Sequence, residues 1–310
     1  MPTYFLIRIV TILIVLLVSI AAPNNKTWVA LVYSFGFTHY LMALVYSKRQ
    51  FGELLAQPLA LLTTLCVAMF GAGLFLFEFP LLVFFAVHHA FNEAYVLKNT
   101  IPSDDQAVRA FRVSTVLLHL FLYFVLLRHT RNIGVVDIGI TYASFARGDI
   151  LNAKLLWTGL SLSYLIFFHY LYQIRSFLNF RTLIENCAFE LLGLVAVVAS
   201  FHVDFKFLHI VFFHFVFWSL FPVPRMFASG SKGLVVYLGA TAFVTGLVLL
   251  ISPIGGSAGY SFSSRMFQEQ FKIWSYIHIT SSFMLSNAHP GWIVALFRPS
   301  PEPRAIAQQA

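Results

Sequence analysis

The sequence predicts an all-α fold: a polytopic integral-membrane helical bundle with about ten transmembrane helices. Of its 310 residues, 59% are hydrophobic and only 10% are charged, and the mean hydropathy is +0.80. Soluble domains are about one quarter charged, so a soluble enzyme with a single core is excluded. The apolar surface is too abundant for a disordered chain. The apolar runs are continuous and of helix length, whereas the strands of a membrane barrel alternate over short segments.

Each predicted span follows from the rule that about 20 apolar residues, rising about 1.5 Å each, cross a bilayer. The breaks between spans carry turn-forming or charged residues, for example Pro23 to Lys26 and Pro102 to Asp105. In chain order, the spans are expected at 4–22, 28–47, 54–77, 79–97, 111–128, 155–174, 183–201, 205–221, 234–252 and 271–296.

A single transmembrane domain is expected over residues 1–297, followed by a short polar tail at 298–310. The stretch 133–146 is apolar but short and contains glycine, which favours a re-entrant or interfacial piece over a further span. The first segment has no convincing charged leader or cleavage site, so it is interpreted as a retained helix.

Lysine and arginine in the short loops indicate the orientation. With ten spans and the N-terminus inside, the cytoplasmic segments hold 12 of the 20 basic residues. The expected location is a bacterial inner membrane, with both termini cytoplasmic. The net charge of +8 then concerns orientation and contact with anionic membrane lipid, and no nucleic-acid partner is expected.

Histidine is the informative residue type, because the chain has 11 histidines and few other polar groups. Ionisable side chains are costly in hydrocarbon and usually face the bundle interior, where they pair or line a functional path. Neutral imidazole is also the commonest metal ligand. A single histidine of this kind more often bonds between helices, but so many together favour a shared site. Nine of them lie within the predicted spans: His39, His88, His89, His119, His169, His209, His214, His278 and His289.

Helical spacing limits which of these side chains can share a centre. His88 and Glu93 are five residues apart, about 140° around a helix, so Glu93 is better placed as a partner of a ligand than as a co-ligand. His88 and His89 are adjacent, and at most one of them is expected to point at a common centre. A metal site would therefore take one ligand from each of several helices. Glu190 could hold the second nitrogen of a ligand histidine, or pair with any polar group nearby.

Several well-known chemical motifs are absent from the sequence. There are no repeated histidine boxes of the membrane di-iron desaturases, and no Walker A, G-x-G-x-x-G, H-E-x-x-H or G-x-S-x-G motif. Cys66 and Cys187 both lie in apolar runs and suggest neither a disulfide framework nor a zinc site. The 35 phenylalanines permit an apolar substrate, although lipid-facing phenylalanine is their ordinary explanation.

The segment Phe84-Phe85-Ala86-Val87-His88-His89-Ala90-Phe91-Asn92-Glu93 resembles part of the bacterial Brp/Blh family. These are membrane-embedded dioxygenases that cleave β-carotene to retinal. Further similar pieces occur in the order that they have in the family, over roughly residues 30–299. They are Gly36-Phe37-Thr38-His39, Leu117-Leu118-His119, Ala188-Phe189-Glu190-Leu191-Leu192-Gly193, Phe213-His214, His278 and Phe297-Arg298-Pro299.

The resemblance implies a non-haem Fe(II) centre held by histidines without a carboxylate. Carried over by position, three family ligands become His39, His88 and His214. The fourth family ligand would stand four residues after His214, where this sequence has Trp218. His278 or His209 could supply that imidazole, or the site could keep three protein ligands.

The sequence therefore predicts a membrane non-haem iron oxygenase that acts with O₂ on a lipophilic, carotenoid- or isoprenoid-like substrate. Two alternatives stay open: a b-type haem protein with His119, His169 or His209 as axial ligands, and a non-catalytic bundle or transporter that uses histidine for proton relay or packing. The expected metal ligands are His39, His88, His214 and His278. The expected supporting or alternative groups are Glu93, Glu190, His119 and His209.

Overall fold

The fold is taken from a computed structural model. It describes residues 4–21, 25–46, 78–101, 103, 105–129, 152–202, 207–251, 270–271 and 273–279, together with the single residues 52, 62 and 282. The predicted span 54–77, apart from residue 62, lies outside the described residues. So do the stretch 133–146, most of the last span with His289, and the tail 298–310.

All regular secondary structure in the described ranges is helical. The helices are α1 Tyr4–Ala21, α2 Asn25–Tyr46, α3 Glu78–Thr100, α4 Gln106–His129, α5 Ala153–Gln173, α6 Phe180–Ala199, α7 Phe207–Leu220, α8 Val223–Ser229 and α9 Ser231–Ile251. A 3₁₀ turn, Ile174–Phe177, extends α5, and residues 273–279 form a further helical stretch. The all-α class is thus confirmed for the part of the chain that is described.

Within the described residues, five helices are long and apolar enough to cross a membrane. They are Tyr4–Ala21, Gln106–Arg128, Ala153–Phe177, Phe180–Ala199 and Ser231–Leu250. Two shorter apolar helices, Leu31–Val45 and His209–Leu220, coincide with further predicted spans. The structure therefore supports a membrane protein with at least these apolar helices, while a total of about ten crossings stays a prediction.

Local polar chemistry fixes several helix ends. The side chain of Asn152 accepts a hydrogen bond from the Lys154 backbone at the start of α5, and Asn179 accepts one from Thr182 at the start of α6. Such side chains satisfy amide groups that have no partner inside the helix. Gly230 separates α8 from α9 with φ of 120°, a backbone conformation that side chains with a Cβ rarely adopt.

Helix packing places α4 against α3 and α5, and α2 against α7 and α9. The rings of Phe111 on α4 and Phe167 on α5, for example, have centroids 5.2 Å apart and are fully buried. The outer face of α9 is different, because Val235, Phe243 and Leu250 are 68%, 70% and 69% exposed. Large apolar side chains on an outer helix face are what contact with lipid requires.

A close helix crossing occurs at Gly36 on α2. A Cβ atom placed there would lie 2.5 Å from the Phe271 ring and 2.8 Å from the Phe215 ring. Glycine therefore allows these two aromatic side chains to lie directly against the backbone of α2. This crossing is one turn from His39 and next to His214, so it positions two of the predicted ligands.

Candidate metal centre

Three of the four predicted ligands converge in the structure. His39 lies on α2, His214 on α7 and His278 on the helical stretch 273–279. One ring nitrogen from each of the three lies within 4.8 Å of the others. The Nε2 atoms of His39 and His278 are 3.0 Å apart. Three separate helices thus supply one imidazole each, as the sequence spacing required.

The donor set fits a first-row transition metal. All three donors are imidazole nitrogens, and these suit iron, copper, nickel and zinc more than magnesium or calcium. Neutral imidazole has one N–H and one lone pair, so the two facing Nε2 atoms either share a hydrogen or direct their lone pairs at a common cation. His214 is 1% exposed, and its Nδ1 makes no hydrogen bond within the described part of the chain. A bound metal would satisfy such nitrogens in an interior that offers few other partners.

Aromatic side chains surround the three histidines. The ring centroids of His39 and Phe215 are 5.5 Å apart, and those of His278 and Tyr40 are 5.0 Å apart. The Tyr40 hydroxyl is 2.7 Å from Ser275 Oγ, which donates to the Phe271 carbonyl. These contacts fix the α2 side of the site against the helical stretch 273–279. An apolar shell of this kind limits access of water to a metal centre.

The fourth predicted ligand, His88 on α3, lies beside this group and outside it. Its ring centroid is 5.2 Å from that of His214 and 5.4 Å from that of His278. Its Nε2 is 3.1 Å from Asn92 Nδ2, one helical turn further on. The neighbouring His89 is also buried, with its ring centroid 4.4 Å from that of His214. Both adjacent histidines of α3 therefore border the cluster.

Glu93 forms a buried ion pair with Arg8 of α1. The guanidinium of Arg8 also lies over the Phe189 ring, with its carbon 3.9 Å from the ring centroid. The structure therefore places Glu93 with a cation from another helix, whereas the sequence suggested a partner for a ligand histidine. Arg8 carried a signal that sequence reasoning missed, since a charge inside an apolar span needs a partner.

Glu190 on α6 and His119 on α4 form a second buried polar pair. His119 Nε2 is 3.0 Å from Glu190 Oε1, and the Tyr164 hydroxyl donates to the Glu190 carbonyl oxygen at 2.8 Å. The sequence expected Glu190 either to hold a ligand histidine or to pair with a nearby polar group. The structure shows the pairing, and the convergent group of three among the described residues does not include His119.

Two further histidines of the sequence analysis lie apart from the convergent group. His209 is on α7, five residues before His214 and half-buried. That offset corresponds to about 140° around the helix. His169 is exposed on α5, and its Nε2 is 2.9 Å from Gln173 Nε2. The b-type haem alternative stays a prediction.

Tyr123 is a polar residue of this region that the sequence analysis did not single out. It lies on α4, one turn after His119, and its hydroxyl is 2.6 Å from His89 Nδ1. The available signal was the spacing of four residues, which places Tyr123 and His119 on the same face of α4.

No family model, curated protein or solved structure matches this chain. The resemblance to the carotene-cleaving dioxygenases therefore stays a prediction from short segments. The case for a metal centre depends on the geometry of His39, His214 and His278.

Proposed function

We propose that this protein is an integral-membrane non-haem iron oxygenase that acts with O₂ on a lipophilic substrate. The observation that carries the proposal is the convergence of three imidazoles, one ligand nitrogen from each within 4.8 Å of the others, inside an apolar helical bundle. A costly cluster of this kind in a membrane interior is typical of a functional site.

The chain's own residues would bind and enclose the metal. His39, His214 and His278 would hold Fe(II) through neutral nitrogens, and a site with few protein ligands leaves positions for O₂. Bound iron supplies the oxygen chemistry that side chains lack. Phe215 and Tyr40 line the cluster, where they would exclude water and contact an apolar substrate.

A carotenoid- or isoprenoid-like polyene is the proposed substrate class. The short segments that resemble the carotene-cleaving dioxygenases support it, and so does the apolar exterior, from which a lipid-soluble molecule could enter. We also propose about ten membrane crossings, a bacterial inner membrane and cytoplasmic termini, on the basis of hydropathy and the distribution of basic residues.

A transporter that moves protons through buried polar groups is the second candidate. Two buried pairs favour it, Arg8 with Glu93 and His119 with Glu190. Such a transporter needs no metal, so analysis of the bound metal distinguishes it from the oxygenase.

The deciding experiment is metal analysis of the full chain, purified in detergent and loaded anaerobically with Fe(II). We expect one iron per chain and no Soret band, since haem iron alone gives that band. His39→Ala, His214→Ala and His278→Ala should each lose most of the iron. The control is His169→Ala, because that imidazole is exposed on α5.

Iron binding is followed by O₂ uptake with β-carotene or another polyene in detergent micelles. Substrate-dependent uptake in the wild type and the control, and its loss in the three variants, would support the oxygenase. A wild-type protein that retains no iron, or three variants that retain it fully, would contradict the proposal. The histidines would then be assigned to helix packing or proton transfer.

A further inference from the structure

We propose that His89, held by Tyr123, is the fourth imidazole of the metal centre, in the place that the resemblance assigns to His88. This inference rests on the proposed metal centre, and it concerns which of two adjacent histidines completes it. The two side chains are about 100° apart around α3, so they leave the helix in different directions. The distance to His214 and the environment of each Nε2 atom distinguish them.

His89 lies nearer than His88 to His214, while the His88 ring also lies 5.4 Å from that of His278. Its ring centroid is 4.4 Å from that of His214, compared with 5.2 Å for His88 and 5.3 Å for His39. The His89 side chain is also deeply buried, with 2% of the residue exposed. The imidazole closest to His214 is therefore one that neither the sequence spacing nor the resemblance selected.

The two nitrogens of His89 have different environments. Nδ1 is 2.6 Å from the Tyr123 hydroxyl, whereas Nε2 is buried and makes no hydrogen bond within the described part of the chain. A buried polar atom without a partner costs about 1–3 kcal/mol, and native interiors rarely keep one. Because the adjacent ring is that of His214, a shared metal ion is the ligand that would satisfy Nε2.

The Nε2 of His88 already has a partner. The Nε2 atom is 3.1 Å from Asn92 Nδ2, and an amide nitrogen can only donate. This contact uses the Nε2 lone pair, so His88 could bind a metal only through Nδ1. His88 therefore makes a contact within α3, with Asn92 one turn away, beside the cluster.

Tyr123 would act as a positioning residue for His89. When a metal occupies Nε2, the imidazole hydrogen lies on Nδ1 and is donated to the phenol oxygen. Metal-bound histidines usually donate their second N–H in this way, and removal of such a partner costs about 10–100-fold in metal affinity. The Tyr123 side chain is itself buried on α4, so its position is set by the packing of α3 against α4.

Cobalt(II) binding to the full-length protein in detergent tests this assignment, because the visible bands of Co(II) report the number and type of its ligands. We expect His89→Ala to weaken Co(II) binding by at least about 10-fold and to change the band positions. Added imidazole should restore the wild-type spectrum. Tyr123→Phe should weaken binding about 10–100-fold while largely keeping the spectrum, because all ligands remain. His88→Ala should change the spectrum less than His89→Ala does.

The controls separate folding, this inference and the parent proposal. Each variant is compared with His169→Ala by elution in detergent, and imidazole rescue shows that the site of His89→Ala is otherwise intact. If His88→Ala loses Co(II) while His89→Ala keeps wild-type affinity and spectrum, this assignment is wrong and the centre itself stands. A wild-type protein that binds neither Co(II) nor Fe(II) overturns both.

Discussion

At the scale of single residues, the bundle interior holds charges that an apolar environment disfavours. Arg8 and Glu93 pair across α1 and α3 with 6% and 4% of each residue exposed. The desolvation of two such ions is costly, and their attraction compensates only while both are present. The pair is therefore a specific link between the two helices.

Glu93→Gln should destabilise the protein by about 3–5 kcal/mol, because it leaves the buried Arg8 charge without a counter-ion. The double variant Arg8→Met with Glu93→Leu should be more stable than Glu93→Gln, since no uncompensated charge remains. Urea unfolding in mild detergent measures both. The matched control is Glu185→Gln, which breaks the pair with the exposed Arg181 on α6 and should cost less than about 1 kcal/mol. Equal losses in the two single variants would contradict the argument.

Residue types in the sequence singled out nine histidines in apolar runs, and the family resemblance then selected His39, His88 and His214, with His278 as a candidate for the fourth ligand. The choice between His88 and His89 was not readable in the same way. It depends on the rotation of α3 about its axis and on the approach of Tyr123 from α4. A one-dimensional pattern gives the relative angle of two neighbours, but it does not say which of them faces the centre.

At the scale of helices, hydropathy located most of the described elements but not their ends. The span expected at 79–97 is part of a helix that runs from Glu78 to Thr100, and the span expected at 205–221 is a helix of 14 residues, Phe207–Leu220. Hydropathy indicates which residues partition into lipid. The ends of a helix are set instead by where its backbone hydrogen bonds stop. Pro222 and Pro224 follow α7 and explain why it ends at Leu220.

The crossing of α2 at Gly36 makes a prediction at this scale. Gly36→Ala should lower both the thermal stability and the iron content, because its Cβ would lie within 3 Å of the Phe215 and Phe271 rings. Displacement of these rings would separate α2, with His39, from His214 on α7. The matched control is Gly246→Ala on α9, where a Cβ would meet nothing within 4 Å.

The control variant should be neutral or more stable by about 0.5–1 kcal/mol, as alanine favours a helix over glycine. Thermal unfolding in detergent and iron analysis of both variants measure these two effects. If Gly36→Ala matches the control in both measurements, the tight crossing does not position the histidines.

At the scale of the whole molecule, the described bundle buries several charged and polar side chains and exposes many large apolar ones. The buried Arg8–Glu93 and His119–Glu190 pairs lie within the bundle, while the outer face of α9 exposes valine, phenylalanine and leucine. In water this distribution would expose a large aggregation-prone surface. In a bilayer the same surface is satisfied by lipid, and the buried polar groups must satisfy one another.

The outer face of α9 offers a test of this arrangement that depends on depth. Phe243 and Val235 are 70% and 68% exposed on the same helix, but Phe243 lies near its middle and Val235 near its start. Phe243→Lys should reduce the amount of protein in the membrane fraction, since a lysine at the centre of a span costs about 2.5–3.5 kcal/mol on insertion scales. Val235→Lys should be tolerated, because its ammonium can reach the interface beside Lys232. Membrane yield after an alkaline wash, with Phe243→Leu as the control for lost aromatic packing, measures the difference. Equal yields of the two lysine variants would mean that this face does not contact hydrocarbon.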